Sequence, residues 1–346
     1  MPEGVPAPMG GGPDMKILKR VLIWMACLVA VVVLAVAGLV TWFTVRGERQ
    51  IAELEIVDRH ADAPGRFFTI DGYEYHVVIR GDVNADPTGA PILVIHGFGP
   101  TGSNVIMPLA YDLAATRSVI VPDMLGFGYS EKVAEPGEHF TVEGRVKALL
   151  GLLEDLGVGE FDVVGHSYGG SVTGRLALTV PERVRRAVFV GPQIYPQTTP
   201  GDFVAYLPRP AARVAVWGSL GGGPGSLVGR ACAADPGVCD ALRIARVKGT
   251  VDALLAINNT PREYALPGEL PNVQPPALFI WGDDDAIVPP ESIARAAAAM
   301  GADTWIVPGG GHWPFAVDPP GVTERIRSFF TLDRGSRTGS TRSSSE

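Results

Sequence analysis

Few folds accommodate the stretch Phe161-Asp-Val-Val-Gly165-His-Ser167-Tyr-Gly169. An apolar run leads into a serine flanked two residues away on each side by glycine. The run from Gly170 to Leu178 that follows suits a helix. A chain that turns this sharply from strand to helix has no room for side chains beside the apex, so small residues are required there. The turn lifts the Ser167 hydroxyl above the edge of a sheet. The backbone N–H of Tyr168, at the start of the helix, points at the same spot and is placed to stabilise an oxyanion. The bland alternative is a serine that merely caps the helix.

A nucleophilic serine needs a base, and the base needs an orienting carboxylate. Pro276 to Trp281 reads as a buried strand that opens into Gly282-Asp-Asp-Asp285-Ala-Ile-Val-Pro289. Thr304 to Val307 reads as a further strand, ending in Pro308-Gly-Gly-Gly-His312-Trp-Pro314. Both loops leave the carboxyl ends of their strands, as the Ser167 turn does. Of the six histidines, only His312 stands in a loop after the last strand. Upstream, Pro91 to Ile95 is an apolar strand followed by His96-Gly97-Phe98-Gly99. Ser118 to Pro122 is another, followed by the turn Asp123-Met-Leu-Gly126-Phe-Gly128-Tyr-Ser130.

With these motifs in this order, the chain from about Phe67 to Phe330 resembles the α/β-hydrolase superfamily. Within it the chain is most similar to serine hydrolases with a helical lid: esterases, monoacylglycerol lipases and carbon–carbon bond hydrolases. The resemblance implies a mostly parallel eight-stranded sheet flanked by helices. It also implies a triad of Ser167, His312 and Asp285, with the Phe98 and Tyr168 amides as oxyanion hole. Asp283 and Asp284 are then helix-capping or solvated neighbours. His96 and His166 hold loops by hydrogen bonds, Asp123 braces its turn, and Trp313 and Phe315 pack beside the base. A serine at position 167 excludes the relatives that use an aspartate there, the haloalkane dehalogenases and epoxide hydrolases. The expected activity is cleavage of a lipid or other apolar carboxylic ester through an acyl-enzyme. The alternatives are carbon–carbon bond hydrolysis, or a non-catalytic binding protein on the same fold.

The second feature is Val21–Val45, 25 residues without a charged side chain. At about 1.5 Å per residue it spans a bilayer core of roughly 30 Å. Lys16, Lys19 and Arg20 precede it and Arg46 and Arg49 follow. Trp24, Trp42 and Phe43 lie near its ends, where interfacial aromatics belong. A cleaved signal peptide is the competing reading. Its apolar core is normally about 7–15 residues, and Ala35-Val-Ala37 falls deep inside this run. The expectation is a single-pass anchor, with the slight basic excess placing the N-terminus inside and the catalytic domain outside the cytoplasm.

The net charge of −8, without a basic cluster, argues against nucleic acid as a partner. No metal-spaced His/Cys set, Walker loop or dinucleotide fingerprint is present, so neither metal nor cofactor is expected. The expected partners are a small-molecule ester substrate and the membrane. Cys232 and Cys239 flank the turn signal Asp235-Pro-Gly237 and are either a disulfide in an oxidising compartment or two buried thiols.

Along the chain, residues 1–20 read as a disordered, basic N-terminus, 21–45 as the transmembrane helix and 46–65 as a charged connector. The hydrolase core occupies 66–192 and 274–331. It opens with a hairpin around Asp71-Gly72. The helix Val142 to Leu156 has its apolar stripe at 146, 149, 150, 153 and 156. Residues 193–273 are too long for a structureless loop and read as a lid, with a helix over Ala241–Asn258. Residues 332–346 form a disordered tail.

Overall fold

The computed structural model describes residues 15–55, 57–85, 90–196, 202–220, 242–260 and 266–331. The extreme N-terminus, the tail and the candidate pair Cys232 and Cys239 lie outside them. The chain divides into two units, residues 1–50 and 51–346.

The described residues of the first unit, 15–50, are helical. Helix α1 (Met15–Leu54) runs 40 residues, so the connector begins as a continuation of the apolar helix for about two further turns, a helical start that the sequence allows. Its most apolar stretch has a mean hydropathy of 2.9, and none of it is buried. A helix serving a soluble core would bury such a surface. By length and composition α1 is able to cross a membrane, a property it shares with signal sequences.

In the second unit, strand formation follows the apolar runs. The sheet comprises β1 (Arg66–Ile70), β2 (Tyr73–Arg80), β3 (Ile92–Ile95), β4 (Val119–Pro122), β5 (Phe161–His166), β6 (Val184–Val190), β7 (Ala277–Gly282) and β8 (Asp303–Val307). They lie in the order β1-β2-β4-β3-β5-β6-β7-β8. β1 and β2 form the expected hairpin, with Asp71 and Gly72 both at positive φ as a type I′ turn requires. β2 pairs antiparallel with β4, and every later pairing is parallel.

Side chains of the central strands alternate between two cores. Leu93, Ile95, Val163 and Phe279 face one; Ile92, Val94, Val164 and Leu278 face the other. The first is closed by α2 (Val142–Asp155), α3 (Tyr168–Thr179) and α4 (Pro290–Met300), through Leu149, Leu153, Leu176 and Ile293. The second is closed by Met107–Ala114 and Pro319–Thr331, through Leu109, Leu113, Ile326 and Phe329. A parallel sheet covered on both faces explains why its strands are continuously hydrophobic.

Between β6 and β7, where a lid is expected, the described residues include the helices Arg209–Leu220 and Thr250–Asn259. The single helix expected over Ala241–Asn258 is broken. A 3₁₀ turn at Leu242–Arg246 ends before Gly249, which adopts φ +86°. A Cβ on Gly249 would lie 2.9 Å from the Lys132 side chain. The new helix begins there because the Glu55 carboxylate accepts from the Gly249 and Val251 amides at 3.1 and 2.9 Å.

The Asp123 turn is pinned from several sides. Its carboxylate accepts from His76 Nδ1 (2.8 Å), the Ser103 amide (2.6 Å) and the Tyr129 amide (2.8 Å). Gly102 and Gly128 wrap it so closely that a Cβ on either would come within 2.3 and 2.1 Å. Burial alone would raise its carboxyl, but the bond from His76 and the other donors outweigh burial and bring it down to about 2. A depressed folded value contributes stability that is complete above the unfolded value near 3.8 and lost as the pH falls toward 2. Asp123→Asn should therefore destabilise the domain at pH 7 by at least about 2 kcal/mol. It should also flatten the loss of stability below pH 4, measured by urea unfolding across pH 3 to 7. An equally steep acid limb in the variant would refute this account.

Candidate active site

Strand β5 ends at His166, and Ser167 sits at φ 52°, ψ −119°, a conformation that costs a non-glycine residue roughly 1–3 kcal/mol. The surroundings over-determine it. The Ser167 amide donates to the Val190 carbonyl (3.0 Å), and its own carbonyl accepts from the Gly170 and Gln193 amides (2.8 and 2.9 Å). A Cβ on Gly165 would lie 2.4 Å from the Gly169 carbonyl oxygen, and one on Gly169 would lie 2.5 Å from that of Ile95. Both glycines are thus fixed by close approach. The Ser167 side chain makes no capping bond to α3, so the helix-cap reading finds no support.

The predicted partners converge from two loops. His312 Nδ1 lies 2.8 Å from Asp285 Oδ2, and both side chains are buried. The other carboxylate oxygen, Oδ1, accepts from the Ile287 and Val288 amides, both at 2.8 Å. Burial pushes the Asp285 carboxyl up, but the bond with His312 and the two amides overcome this, so it lies below the ordinary value. The carboxylate remains ionised and, by accepting from Nδ1, fixes the imidazole tautomer.

The base loop is tied to the elbow itself. His166 Nε2 donates to the His312 carbonyl at 2.9 Å, and the two rings are 4.9 Å apart. Burial pushes the His166 imidazole down to about 3, so it stays neutral. Phe315 packs on His166 at 5.2 Å and Trp313 edges His312 at 5.1 Å. On the opposite side, Gly97 passes so close that a Cβ on it would lie 2.9 Å from Ser167 Cβ. Phe98 follows directly. His96 holds this loop: Nδ1 donates to the Gly97 carbonyl (2.6 Å) and Nε2 accepts from the Met124 amide (3.0 Å). Burial pulls His96 down to about 4 and keeps it neutral. Tyr168 supplies the first amide of α3, which has no carbonyl one turn earlier to accept it.

Three contributors escaped sequence reasoning. Asp283 and Asp284 do not cap α4; their carboxylates accept from the Gly309 and Gly311 amides, each at 2.7 Å, and so hold the His312 loop from its solvent side. Gly191, at φ 49°, closes β6 against the pair: a Cβ there would meet the His312 carbonyl at 3.2 Å and Asp285 Oδ2 at 3.5 Å. The glycine after an apolar strand was the only signal for it. Among the described residues no His, Cys, Asp and Glu cluster is arranged to hold a metal.

The chain belongs to the alpha/beta hydrolase family, whose model matches residues 92–325. Among curated proteins it is similar to 2-hydroxymuconate semialdehyde hydrolase of Pseudomonas sp. (strain CF600). The two are 40% identical over 118 residues, 33% of this chain and 40% of that protein. The chain thus aligns with less than half the length of the first curated relatives it matches. Among solved structures it is similar to a thermophilic esterase from Thermogutta terrifontis, with a TM-score of 0.61 and 24% identity, covering 78% of this chain and 98% of that one. A meta-cleavage product hydrolase from Pseudomonas fluorescens IP01 gives a TM-score of 0.61 and 20% identity, covering 77% and 97%. At these identities the structures share the fold.

The exposed pair Asp283 and Asp284 yields a test. Replacing both with alanine should lower kcat about tenfold through misplacement of the His312 loop. The folded protein and KM should change little, as steady-state kinetics beside a thermal melt would register. An unchanged kcat would show that the loop holds its position without them.

Proposed function

We propose that this chain is a membrane-anchored serine hydrolase that cleaves carboxylic esters through Ser167, His312 and Asp285. The observation that carries the reading is the strained Ser167 apex, unused as a cap, with the buried His312–Asp285 pair bonded to the same elbow. Ser167 Oγ attacks the ester carbonyl carbon while His312 Nε2 takes its proton. The Phe98 and Tyr168 amides receive the negative charge on the carbonyl oxygen. Collapse breaks the C–O bond, and the leaving alkoxide takes the proton from His312. Water then attacks the acyl-enzyme with His312 again as base, and the acid is released as the proton returns to Ser167. Asp285 holds the tautomer and stabilises the imidazolium.

A second reading is favoured by the 40% identity with 2-hydroxymuconate semialdehyde hydrolase. The same residues then cleave a carbon–carbon bond next to a carbonyl, and the departing carbon, not an oxygen, is protonated. Turnover of a chromogenic ester compared with a vinylogous diketone separates the two.

Full-length protein in detergent should react with a fluorophosphonate and hydrolyse esters. Ser167→Ala and His312→Ala should each lose at least about a thousandfold in kcat. Ester turnover that survives Ser167→Ala would refute the assignment.

The anchor reading rests on the length and exposure of α1. The full-length chain should resist carbonate extraction. Val31→Arg together with Leu34→Arg, each costing about 2.5–3.5 kcal/mol at a helix centre, should release it. A mature chain whose intact mass begins after Ala37 would instead establish a cleaved signal sequence.

A further inference from the structure

Arg145 lies on the inward face of α2 and is only 2% exposed. Its Nε donates to Tyr168 Oη at 3.1 Å, and its Nη1 donates to the Leu125 carbonyl at 3.2 Å. Its guanidinium carbon stands over three rings: Phe127 at 5.0 Å, Tyr168 at 5.4 Å and Phe140 at 5.7 Å. Nη2 is buried without a hydrogen-bond partner. No carboxylate among the described residues pairs with it. Burying a charge in this way is costly, and an apolar side chain of similar volume would fill the space more favourably. Packing alone does not account for an arginine here.

The contacts indicate what does. Tyr168 is the residue whose amide opens α3 at the elbow. Phe127, also beneath the guanidinium, packs its ring against Phe98 at 5.3 Å and His96 at 5.5 Å. Leu125 belongs to the same turn, and the neighbouring Met124 amide donates to His96. One rigid, planar cation therefore touches the Tyr168 side directly and the Phe98 side through a single ring. Lysine, a flexible point charge, reproduces the charge but not the fork.

From this juxtaposition we infer that Arg145 is a positioning residue that sets the spacing of the two oxyanion donors, the amides of Tyr168 and Phe98. The inference rests on the serine-hydrolase reading. Arg145 does not touch the substrate. It acts through Tyr168 and Phe127.

The test compares full-length wild type with Arg145→Met, Arg145→Lys and Tyr168→Phe, using a neutral chromogenic ester and a trifluoromethyl ketone. The ketone forms a tetrahedral adduct whose oxyanion occupies the hole. Arg145→Met should lose about tenfold to a hundredfold in kcat, with KM within about twofold, and weaken the ketone in parallel. Arg145→Lys should recover part of both, and Tyr168→Phe should reproduce part of the loss. If Arg145→Met proves too unstable to assay, the Lys and Phe variants carry the same comparison. Unchanged kcat and ketone affinity, or a loss of stability with kcat intact, would overturn the inference. Wild type that neither reacts with a fluorophosphonate nor turns over the ester would instead overturn the hydrolase reading beneath it, and this inference with it.

Discussion

The close contact of Gly165, Gly169 and the end of β3 is the constraint from which the rest of the site follows. With no side chain at either glycine, α3 starts hard against the Ile95 carbonyl, and Ser167 is forced to positive φ. Strain of this kind persists only where other interactions outweigh it. Here two backbone bonds through the Ser167 peptide units tie the elbow to Val190 at the end of β6 and to Gln193 beyond it, and a third joins it to Gly170 in α3. The position of the Ser167 backbone is thereby set by the sheet.

Electrostatics divide the buried imidazoles by role. His96 and His166 are driven neutral by burial, each using one nitrogen to hold a neighbouring loop. Neither adds a positive charge that would oppose an imidazolium on His312. Of these three, His312 is the one bonded to an ionised carboxylate, and that carboxylate is kept ionised by two amides as well as the ring. The difference lies in partners and not in depth, since all three rings are buried. Asp123 shows the same logic used for structure: a carboxylate saturated by donors braces a turn, and none of its described bonds reaches Ser167 or His312.

What was legible in the sequence was local. Strands written as continuous apolar runs, the Asp71-Gly72 hairpin and the glycine-bounded serine each carry their own geometry. The two downstream loops were readable because strand ends place them on one edge. Partners chosen across long sequence distances were not. Asp283 and Asp284 look like solvated neighbours until Gly309 and Gly311 arrive from 26 and 27 residues away. Arg145 reads as one more charge in an amphipathic helix, because nothing local announces Tyr168 at a separation of 23. The break in the Ala241–Asn258 helix depended on Glu55 and Lys132, neither of which is a neighbour in sequence.

That break also bears on how the lid is held. Glu55 uses both oxygens on the first amides of the lid helix Thr250–Asn259, and Val57 pairs with Val247 just before it. The helix is buried along most of its length, and its Ile257 reaches Gly126 in the turn beside Phe127 and Phe140. A carboxylate at a helix N-terminus contributes only about 0.3–1 kcal/mol when exposed and more when partly buried, as Glu55 is. Core packing holds this helix as well, through Val251, Leu254 and Leu255, and the Glu55 carboxylate fixes where it begins.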